Sequence, residues 1–236
     1  MKKVVILQPM YFPWRGVFEQ IKLTDVFVYY DDVQFPTGRT FINRVQIKTP
    51  NGFIWMNIPI VKKERTYLKI NEMKVNELIS WREYHKKKFI YNYSRAPYYE
   101  DALALLEEVL SLPNNNLAEI TINSLKVCCK FLGFRKTFIK SSTLGIDGKG
   151  TERLVRITKY LNGDIYITGH GAKNYLDYDL FESSDIKVEF MNYKNISYPQ
   201  LWGDFNPYVS ILDLISNTGR DASKYINSES LYWKDF

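Results

Sequence analysis

The first part of the chain contains two short apolar runs with a loop and a helical pattern between them. Residues 4–7 are apolar without interruption, which is typical of a strand buried on both faces. A helical pattern over residues 15–23 would bury Phe18 and Ile21, and it leads at once into a second strand-like run at residues 25–31. Strand, loop, helix and strand in this order predict a βαβ unit, and therefore a parallel pair of strands with a right-handed crossover.

The remaining chain adds a β-rich segment, a helical segment and a second α/β series. Residues 41–70 have a β texture, with Asn51-Gly52 as a hairpin turn and residues 66–70 as a later strand. Further elements are predicted as helices over 77–92, 99–111, 114–132, 151–161 and 208–217, and strands over 137–140, 164–168 and 186–190. Gly133 is expected just past one helix, and Thr151 as the N-cap of another.

We therefore expect one α/β domain over residues 1–236. Its sheet is mostly parallel and flanked by helices, with a β-hairpin excursion (about residues 41–70) after the first βαβ unit and a helical segment over residues 77–132. Functional groups in such a fold are expected at the carboxyl ends of the strands.

Composition excludes several classes of protein. With 45% apolar and 25% charged residues, the chain has the composition of a soluble globular protein. The longest uncharged run, residues 49–61, contains two prolines, so we expect no membrane span. Cys128 and Cys129 are adjacent in a helical pattern without metal-ligand spacing, which favours a packing role and a reducing cytoplasm. No metal site is expected, and no cofactor is indicated.

Positive charge is concentrated in the first hundred residues. The formal net charge is +6, but residues 1–100 alone hold 17 Lys/Arg against 9 Asp/Glu. This excess favours anionic partners such as phosphates, nucleotide sugars or nucleic acid, with a solvated basic face as the alternative. The chain also has 18 Tyr, 14 Phe and 5 Trp, and such an aromatic excess suits a binding cleft as well as a core.

The loop after the first strand, residues 7–16, is the most informative segment. Two prolines stiffen it, and Gly16 permits a close approach at the start of the helix. Gln8, Tyr11 and Trp14 can present an amide and two aromatic faces to a ring, beside a helix amino end that favours an anion. The alternative is that Tyr11 and Trp14 only fill the end of the sheet.

Two adjacent carboxylates and an amide follow the second strand. Alternate residues of an extended strand share a face, so Asp32 and Gln34 are expected to point together, with Asp32 as a general base or hydroxyl ligand. Asn43 and Arg44 are expected on the next strand, where the guanidinium suits a phosphate or carboxylate. The alternative for Asp32 is an ion pair with Arg39 or Arg44.

The helix over residues 77–92 mixes basic and aromatic side chains. Trp81, His85 and Phe89 share one face. His85 lies in the most basic part of the chain, which would keep it neutral and available as a base, although a structural role is an alternative. Interleaved basic and aromatic residues also occur on single-stranded nucleic-acid surfaces, so RNA binding stays open.

A Gly-His-Gly sequence follows the strand predicted at residues 164–168. Gly169 and Gly171 let backbone amides turn toward a ligand, and His170 between them is another acid/base candidate. Tyr175 in the same segment is a further candidate for binding. The spacing matches neither the dinucleotide-binding nor the P-loop fingerprint.

In chain order, several segments together resemble the WbqC-like protein family over about residues 3–220. These segments include LQPMYFPWRGVFEQI, DVFVYYDDVQF, INRVQIKT, WREYHKKKFIYNYSRAPYY, YITGHGAKNYLD, YPQ and SILDLISNTG. The resemblance implies a cytoplasmic enzyme of surface-polysaccharide or O-antigen biosynthesis that acts on a nucleotide-activated amino sugar. Acyl or aminoacyl transfer to the sugar amine is the expected reaction, and Gln200 in YPQ is a further binding candidate. The alternative is an RNA- or tRNA-binding module, or a non-catalytic scaffold of a glycan assembly complex.

Overall fold

The computed structural model describes residues 1–38, 40–61 and 67–236. In chain order, the strands are β1 (Lys3–Leu7), β2 (Val26–Tyr29), β3 (Arg44–Thr49), β4 (Gly52–Asn57), β5 (Thr137–Lys140), β6 (Ile165–Thr168), β7 (Lys187–Asn192) and β8 (Glu229–Tyr232). The helices are α1 (Arg15–Leu23), α2 (Trp81–Tyr93), α3 (Tyr99–Leu110), α4 (Leu117–Phe131), α5 (Gly150–Tyr160), α6 (Tyr178–Glu182) and α7 (Ile211–Thr218).

Six strands form one sheet in the order β5-β2-β1-β6-β7-β8, and β3 and β4 form a separate antiparallel hairpin. β1 pairs in parallel with β2 on one side and with β6 on the other, which confirms the predicted parallel pair. β8 pairs antiparallel to β7 at one edge. Numbered along the chain, the six strands follow the doubly wound order 3-2-1-4-5-6. The predicted α/β class and the hairpin excursion are therefore confirmed.

Both faces of the sheet are buried, which explains the uninterrupted apolar run in β1. Val5 faces a large core that also contains residues of α1, α3, α4 and α7. Val4 and Ile6 face a second core, formed with α5 and α6. Because successive side chains of a strand point to opposite faces, both kinds of position in β1 must be apolar.

Some local predictions differ from the structure. The strand predicted at residues 66–70 is wrong where it is described: Lys69 makes an isolated bridge to Gln34, and Ile70 begins a short 3-10 helix, while Thr66 lies outside the described residues. β8 and α6 were not predicted, since each is short and has no clear apolar period.

The predicted helix ends have mixed outcomes. Gly133 follows α4 with a φ of 75°, as predicted for the residue past a helix. The N-cap prediction for Thr151 is wrong, because α5 begins one residue earlier and the Thr151 hydroxyl instead accepts a hydrogen bond from the Asp177 amide at 3.0 Å. Both Cys128 and Cys129 are buried and free, as a packing role requires.

Within the described ranges, none of the helices combines the length and apolar character that crossing a bilayer requires.

A buried carboxylate joins α7 to the irregular segment that precedes it. Asp213 accepts hydrogen bonds from Tyr93 of α2 at 2.7 Å, and from Tyr198 and Gln200 at 2.8 Å each. Lys48 of β3 extends the network by donating to Gln200 at 3.1 Å. Burial raises the pKa of Asp213 to about 6 against the opposing effect of these hydrogen bonds, so the carboxylate is ionised at neutral pH.

Replacing Asp213 with Asn should lower the free energy of unfolding by about 2 kcal/mol or more, because the amide offers one acceptor oxygen where several donors converge. Urea unfolding at pH 7.5 measures the change. Asp221→Asn is the matched control, since Asp221 forms an exposed i,i+3 pair with Lys224 and its loss should cost at most about 0.5 kcal/mol. Equal, small effects of both variants would contradict a supporting role for the buried network.

Candidate functional site

The reversal of strand order between β1 and β6 creates a crevice at the carboxyl edge of the sheet. Gln8 follows β1 and is half-buried, while Gly169 follows β6. Ligands of doubly wound proteins bind in the crevice at such a switch point. Gln8 and Gly169, both predicted to lie near a ligand, therefore follow the two strands that border this crevice.

Two adjoining cavities lie beside this crevice. The first, which we call the switch-point cavity, has a volume of about 370 Å³ and is lined by Trp14, Gly169, His170, Gly171, Tyr193, Asn195 and Tyr208. The second, which we call the hairpin cavity, has a volume of about 550 Å³ and is lined by Met10, Pro13, Trp14, Phe41, Arg44, Val45, Gln46, Phe53, Trp55, Asn206 and Tyr208. Trp14 and Tyr208 line both cavities, so the two cavities adjoin each other at these rings.

Trp14 forms the wall between the cavities. Its indole packs against Tyr193 and Tyr208, with ring centroids 4.9 and 5.4 Å away. The Trp14 indole also lies close to Gly16, where an added Cβ would be 2.3 Å from the indole. Gly16 therefore provides space for the Trp14 ring over the first turn of α1, and the close approach predicted there is made by this ring.

Tyr11 differs from Trp14, although both belong to the same loop. Tyr11 is fully buried, and its amide donates to the Ile42 carbonyl at 3.0 Å. Its hydroxyl lies 3.1 Å from Nδ1 of His85. Tyr11 thus fills the space under the loop, as the alternative interpretation proposed, and only Trp14 of the two rings lines the cavities.

Arg44 lies at the hairpin side of the site. Its guanidinium stacks over Trp55 at 4.2 Å, and Nε donates to the Thr40 carbonyl at 2.8 Å. These contacts orient a cationic fork at the wall of a mostly apolar cavity. Asn43 precedes β3 and donates from its side chain to the Ile58 carbonyl at 2.9 Å. It lines another cavity, of about 460 Å³, which Arg44 also borders.

His170 is exposed and is the candidate base that the cavities contain. Its Nε2 lies 2.6 Å from the Met191 carbonyl oxygen. A carbonyl can only accept, so Nε2 is the nitrogen that carries a hydrogen, and Nδ1 is the one that can accept a proton. The ring packs against Tyr193 and Phe236, with centroids 5.2 and 4.8 Å away, which orients it at the cavity wall.

His85 lies outside the cavities, in the core under α2. It is fully buried; Nε2 donates to the Asn57 carbonyl at 3.1 Å, which leaves Nδ1 to accept from the Tyr11 hydroxyl. Burial lowers the pKa of His85 to about 4 against the opposing hydrogen bond to Asn57, so the ring is neutral as predicted. Burial, and not the neighbouring cations that the sequence suggested, is what lowers the pKa and keeps the ring neutral.

The expected arrangement after β2 is wrong. The strand ends at Tyr29 and the chain bends, so the alternation that paired Asp32 with Gln34 does not apply. The Ser141 hydroxyl lies 3.1 Å from Asp31 and 2.5 Å from Asp32. The backbone of Gln34 forms an isolated bridge with that of Lys69.

Asp32 forms an ion pair, but its partner is Arg153 of α5. The alternative partner Arg44 is bound elsewhere, and Arg39 lies outside the described residues. Burial favours a higher pKa for Asp32, but hydrogen bonds from Arg153 and Ser141 outweigh it and hold the pKa below its usual value. A carboxylate held this way is a weak base at neutral pH.

Of the remaining predicted binding residues, Gly171 lines a cavity of the site, whereas Gln200 and Tyr175 line neither of the two cavities. Gly171 lines the switch-point cavity beside His170. Gln200 belongs to the buried Asp213 network, where its amide is saturated with hydrogen bonds. Tyr175 is 64% exposed and lies beyond the short 3-10 helix that begins at His170.

Sequence reasoning missed several aromatic residues of the site. Tyr193 follows β7 at the same sheet edge, so the rule of strand ends could have indicated it. Trp55 and Phe41 belong to the hairpin region, and Tyr208 precedes α7. Their positions in the cavities depend on how the hairpin and the segment before α7 pack onto the sheet edge, which no local pattern shows.

Comparison with known proteins identifies relatives. A profile of the WbqC-like protein family matches residues 8–225. The chain is similar to the uncharacterized protein Rv1507c of Mycobacterium tuberculosis (strain ATCC 25618 / H37Rv), with 36% identity over 229 residues that cover 96% of this chain and 98% of the relative. No solved structure matches the chain. All residues that line the switch-point cavity or the hairpin cavity lie within the range that the family profile matches.

Replacing Gly16 with Ala should displace the Trp14 indole, because the added Cβ would overlap it. Overpacking of this kind costs about 1–3 kcal/mol, measured by urea unfolding. Gly38→Ala is the matched control, since nothing lies within 4 Å of a Cβ at that position. A Gly16→Ala protein as stable as the control, with unchanged tryptophan fluorescence, would contradict the contact.

The stability of the protein should fall on acidification because of His85. Its pKa is about 4 in the folded state and about 6.5 when unfolded, so between these values the unfolded state binds the additional proton and unfolding is favoured as the pH falls. The contribution lost between pH 6.5 and 4 is up to about 3 kcal/mol.

Urea unfolding of wild-type protein and His85→Gln at pH 7.5, 5.5 and 4.5 measures this effect. The raised pKa of Asp213 gives the opposite slope, but it is present in both proteins and cancels in their difference. Wild-type stability should therefore fall more steeply than that of the variant. Parallel pH profiles would show that His85 titrates normally in the folded protein.

Proposed function

Because the chain belongs to the WbqC-like protein family, we propose that it is an enzyme that acts on a nucleotide-activated amino sugar and transfers an acyl or aminoacyl group to the sugar amine. The substrate class comes from the surface-polysaccharide role that the family resemblance implies. The observation that carries the proposal is the pair of adjoining cavities at the switch point, joined through Trp14 and Tyr208.

The hairpin cavity suits the nucleotide. Its walls include Trp14, Phe41, Trp55 and Tyr208, which offer aromatic faces to a base. Arg44 at its wall offers a planar guanidinium for the diphosphate. A cavity of about 550 Å³ lies within the range of small-molecule sites, and the adjoining 370 Å³ leaves room for the sugar and its amine.

His170 is the base in this proposal. Nδ1 of the neutral ring accepts a proton from the sugar amine as the amine nitrogen attacks the carbonyl carbon of the donor. The bond from Nε2 to the Met191 carbonyl holds the ring in the required tautomer. The acyl donor is a thioester or an ester. We place the reaction in the cytoplasm, in line with the two free, buried cysteines.

An RNA- or tRNA-binding role has one supporting observation, the exposure of Tyr84 and Tyr91 on α2. Neighbouring lysines of this helix are paired, Lys86 with Glu107 and Lys87 with Glu83, which reduces the charge available for phosphates. The cavities are therefore the better-supported site.

Thermal shift and calorimetry with amino-sugar nucleotides that carry uridine, thymidine or guanosine diphosphate test the proposal. At a ligand concentration of 100 times Kd, the protein should gain about 2.7 kcal/mol of stability. Arg44→Ala should weaken binding about 10- to 100-fold through loss of a charged contact. The matched control is Arg156→Ala, because Arg156 forms an exposed pair with Glu152 within α5.

Transfer is measured by mass spectrometry with acetyl-CoA and aminoacyl-tRNA as donors. His170→Ala should keep the affinity for the nucleotide sugar and lower kcat by about 100- to 10,000-fold. Stabilisation by none of the nucleotide sugars would overturn the proposal. Salt-sensitive binding of RNA without binding of nucleotide sugars would favour the alternative.

A further inference from the structure

The Tyr193 hydroxyl lies at the switch-point cavity and has one hydrogen-bonding role still free. Tyr193 follows β7, and its ring packs between Trp14 and His170. The residue opposite the hydroxyl is Gly169, where an added Cβ would lie 3.4 Å from the Tyr193 oxygen. Because glycine carries no side chain, this part of the cavity stays open in front of the hydroxyl.

Gln20 of α1 determines the direction of the Tyr193 hydrogen bond. Its Nε2 donates to the Tyr193 oxygen at 3.0 Å. Gln20 is only 4% exposed, and its Oε1 has no hydrogen-bond partner among residues 1–38, 40–61 and 67–236. A phenolic oxygen that accepts from Gln20 keeps its own hydrogen to donate elsewhere.

The Tyr193 hydroxyl also stays protonated. Burial raises its pKa above the usual tyrosine value by more than the hydrogen bond from Gln20 lowers it. Within the described residues, no acceptor for the Tyr193 hydrogen is found. The ring that carries this O–H donor packs against His170 with centroids 5.2 Å apart, and both residues line the cavity.

We propose that the Tyr193 hydroxyl donates a hydrogen bond to the oxygen of the acyl group, with Gln20 as the positioning residue that aims it. This inference rests on the proposed acyl transfer. As the amine nitrogen bonds to the carbonyl carbon, the carbonyl electron pair moves to the oxygen, and Tyr193 stabilises the negative charge that develops there. His170 takes the amine proton and returns it to the departing sulfur or oxygen of the donor, which leaves an amide product.

The test compares each amino-sugar nucleotide with its N-acetyl product, for the uridine, thymidine and guanosine diphosphate series. The acetyl carbonyl of the product offers an oxygen to Tyr193, and the free amine does not. Tyr193→Phe should therefore weaken binding of the N-acetyl compound about tenfold, and leave binding of the amine within about twofold. In transfer assays, kcat should fall while KM for the amine is kept.

Tyr208→Phe is the matched control, since it removes a hydroxyl from another wall of the same cavity. Tyr208→Phe should change the affinity for the amine and the affinity for the N-acetyl compound by the same factor. Gln20→Glu should reproduce the Tyr193→Phe result, because a carboxylate only accepts and turns the Tyr193 hydrogen toward itself. Gln20→Met leaves the Tyr193 hydroxyl free to donate, so this variant should lose less affinity for the N-acetyl compound than Gln20→Glu does. Each variant is first checked for wild-type folding by circular dichroism and thermal unfolding.

The possible failures can be told apart. If wild-type protein binds no member of any pair, the proposed function fails and this assignment fails with it. Suppose that wild-type protein binds both compounds of a pair. If Tyr193→Phe then weakens the affinity for the amine and for the N-acetyl compound equally, or weakens neither affinity, the assignment of Tyr193 is overturned and the proposed function stands. If Gln20→Met matches Tyr193→Phe and Gln20→Glu does not, the hydrogen bond runs from Tyr193 to Gln20 and the positioning role is overturned.

Discussion

The burial of the central strand on both faces is the constraint from which the site follows. β1 has apolar side chains on each face, so helices must cover both sides of the sheet. The chain continues with β2 and β5 on one side of β1, and then with β6 and β7 on the other. Because the parallel crossovers are right-handed, this change of direction places helices on opposite faces of the sheet. The loops that leave β1 and β6 must then diverge, and the space between them becomes the switch-point cavity.

The aromatic excess of the sequence has two physical roles, and one loop contains both. Tyr11 is held in the core by its backbone bond to Ile42 and by its contact with His85. Trp14, three residues later, lies over Gly16 and remains at the cavity wall. The two interpretations of this loop are therefore not exclusive, because each applies to a different ring.

Buried and exposed polar groups have different functions in this fold. His85 and Asp213 have their hydrogen-bonding atoms engaged inside the core, and they join segments that are distant in sequence. His170 uses one ring nitrogen for a hydrogen bond that orients it, and the residue lines a cavity. Residue type alone does not separate these roles, since both histidines lie in segments that suit a base.

The sequence by itself determined the elements whose patterns are local. Helix α1 has the predicted bounds, and the βαβ start and the Asn51-Gly52 hairpin also follow from periodicity and turn chemistry within a few residues. The rule that functional groups lie at strand ends indicated two residues that line the switch-point cavity, Trp14 and His170. Only the tertiary structure decided which candidates face the cavities, that Asp32 pairs with Arg153 at a separation of 121 residues, and that Tyr193 and Trp55 complete the walls. The physical reason is that periodicity depends on neighbouring residues, whereas side-chain surroundings depend on the packing of segments that meet only after folding.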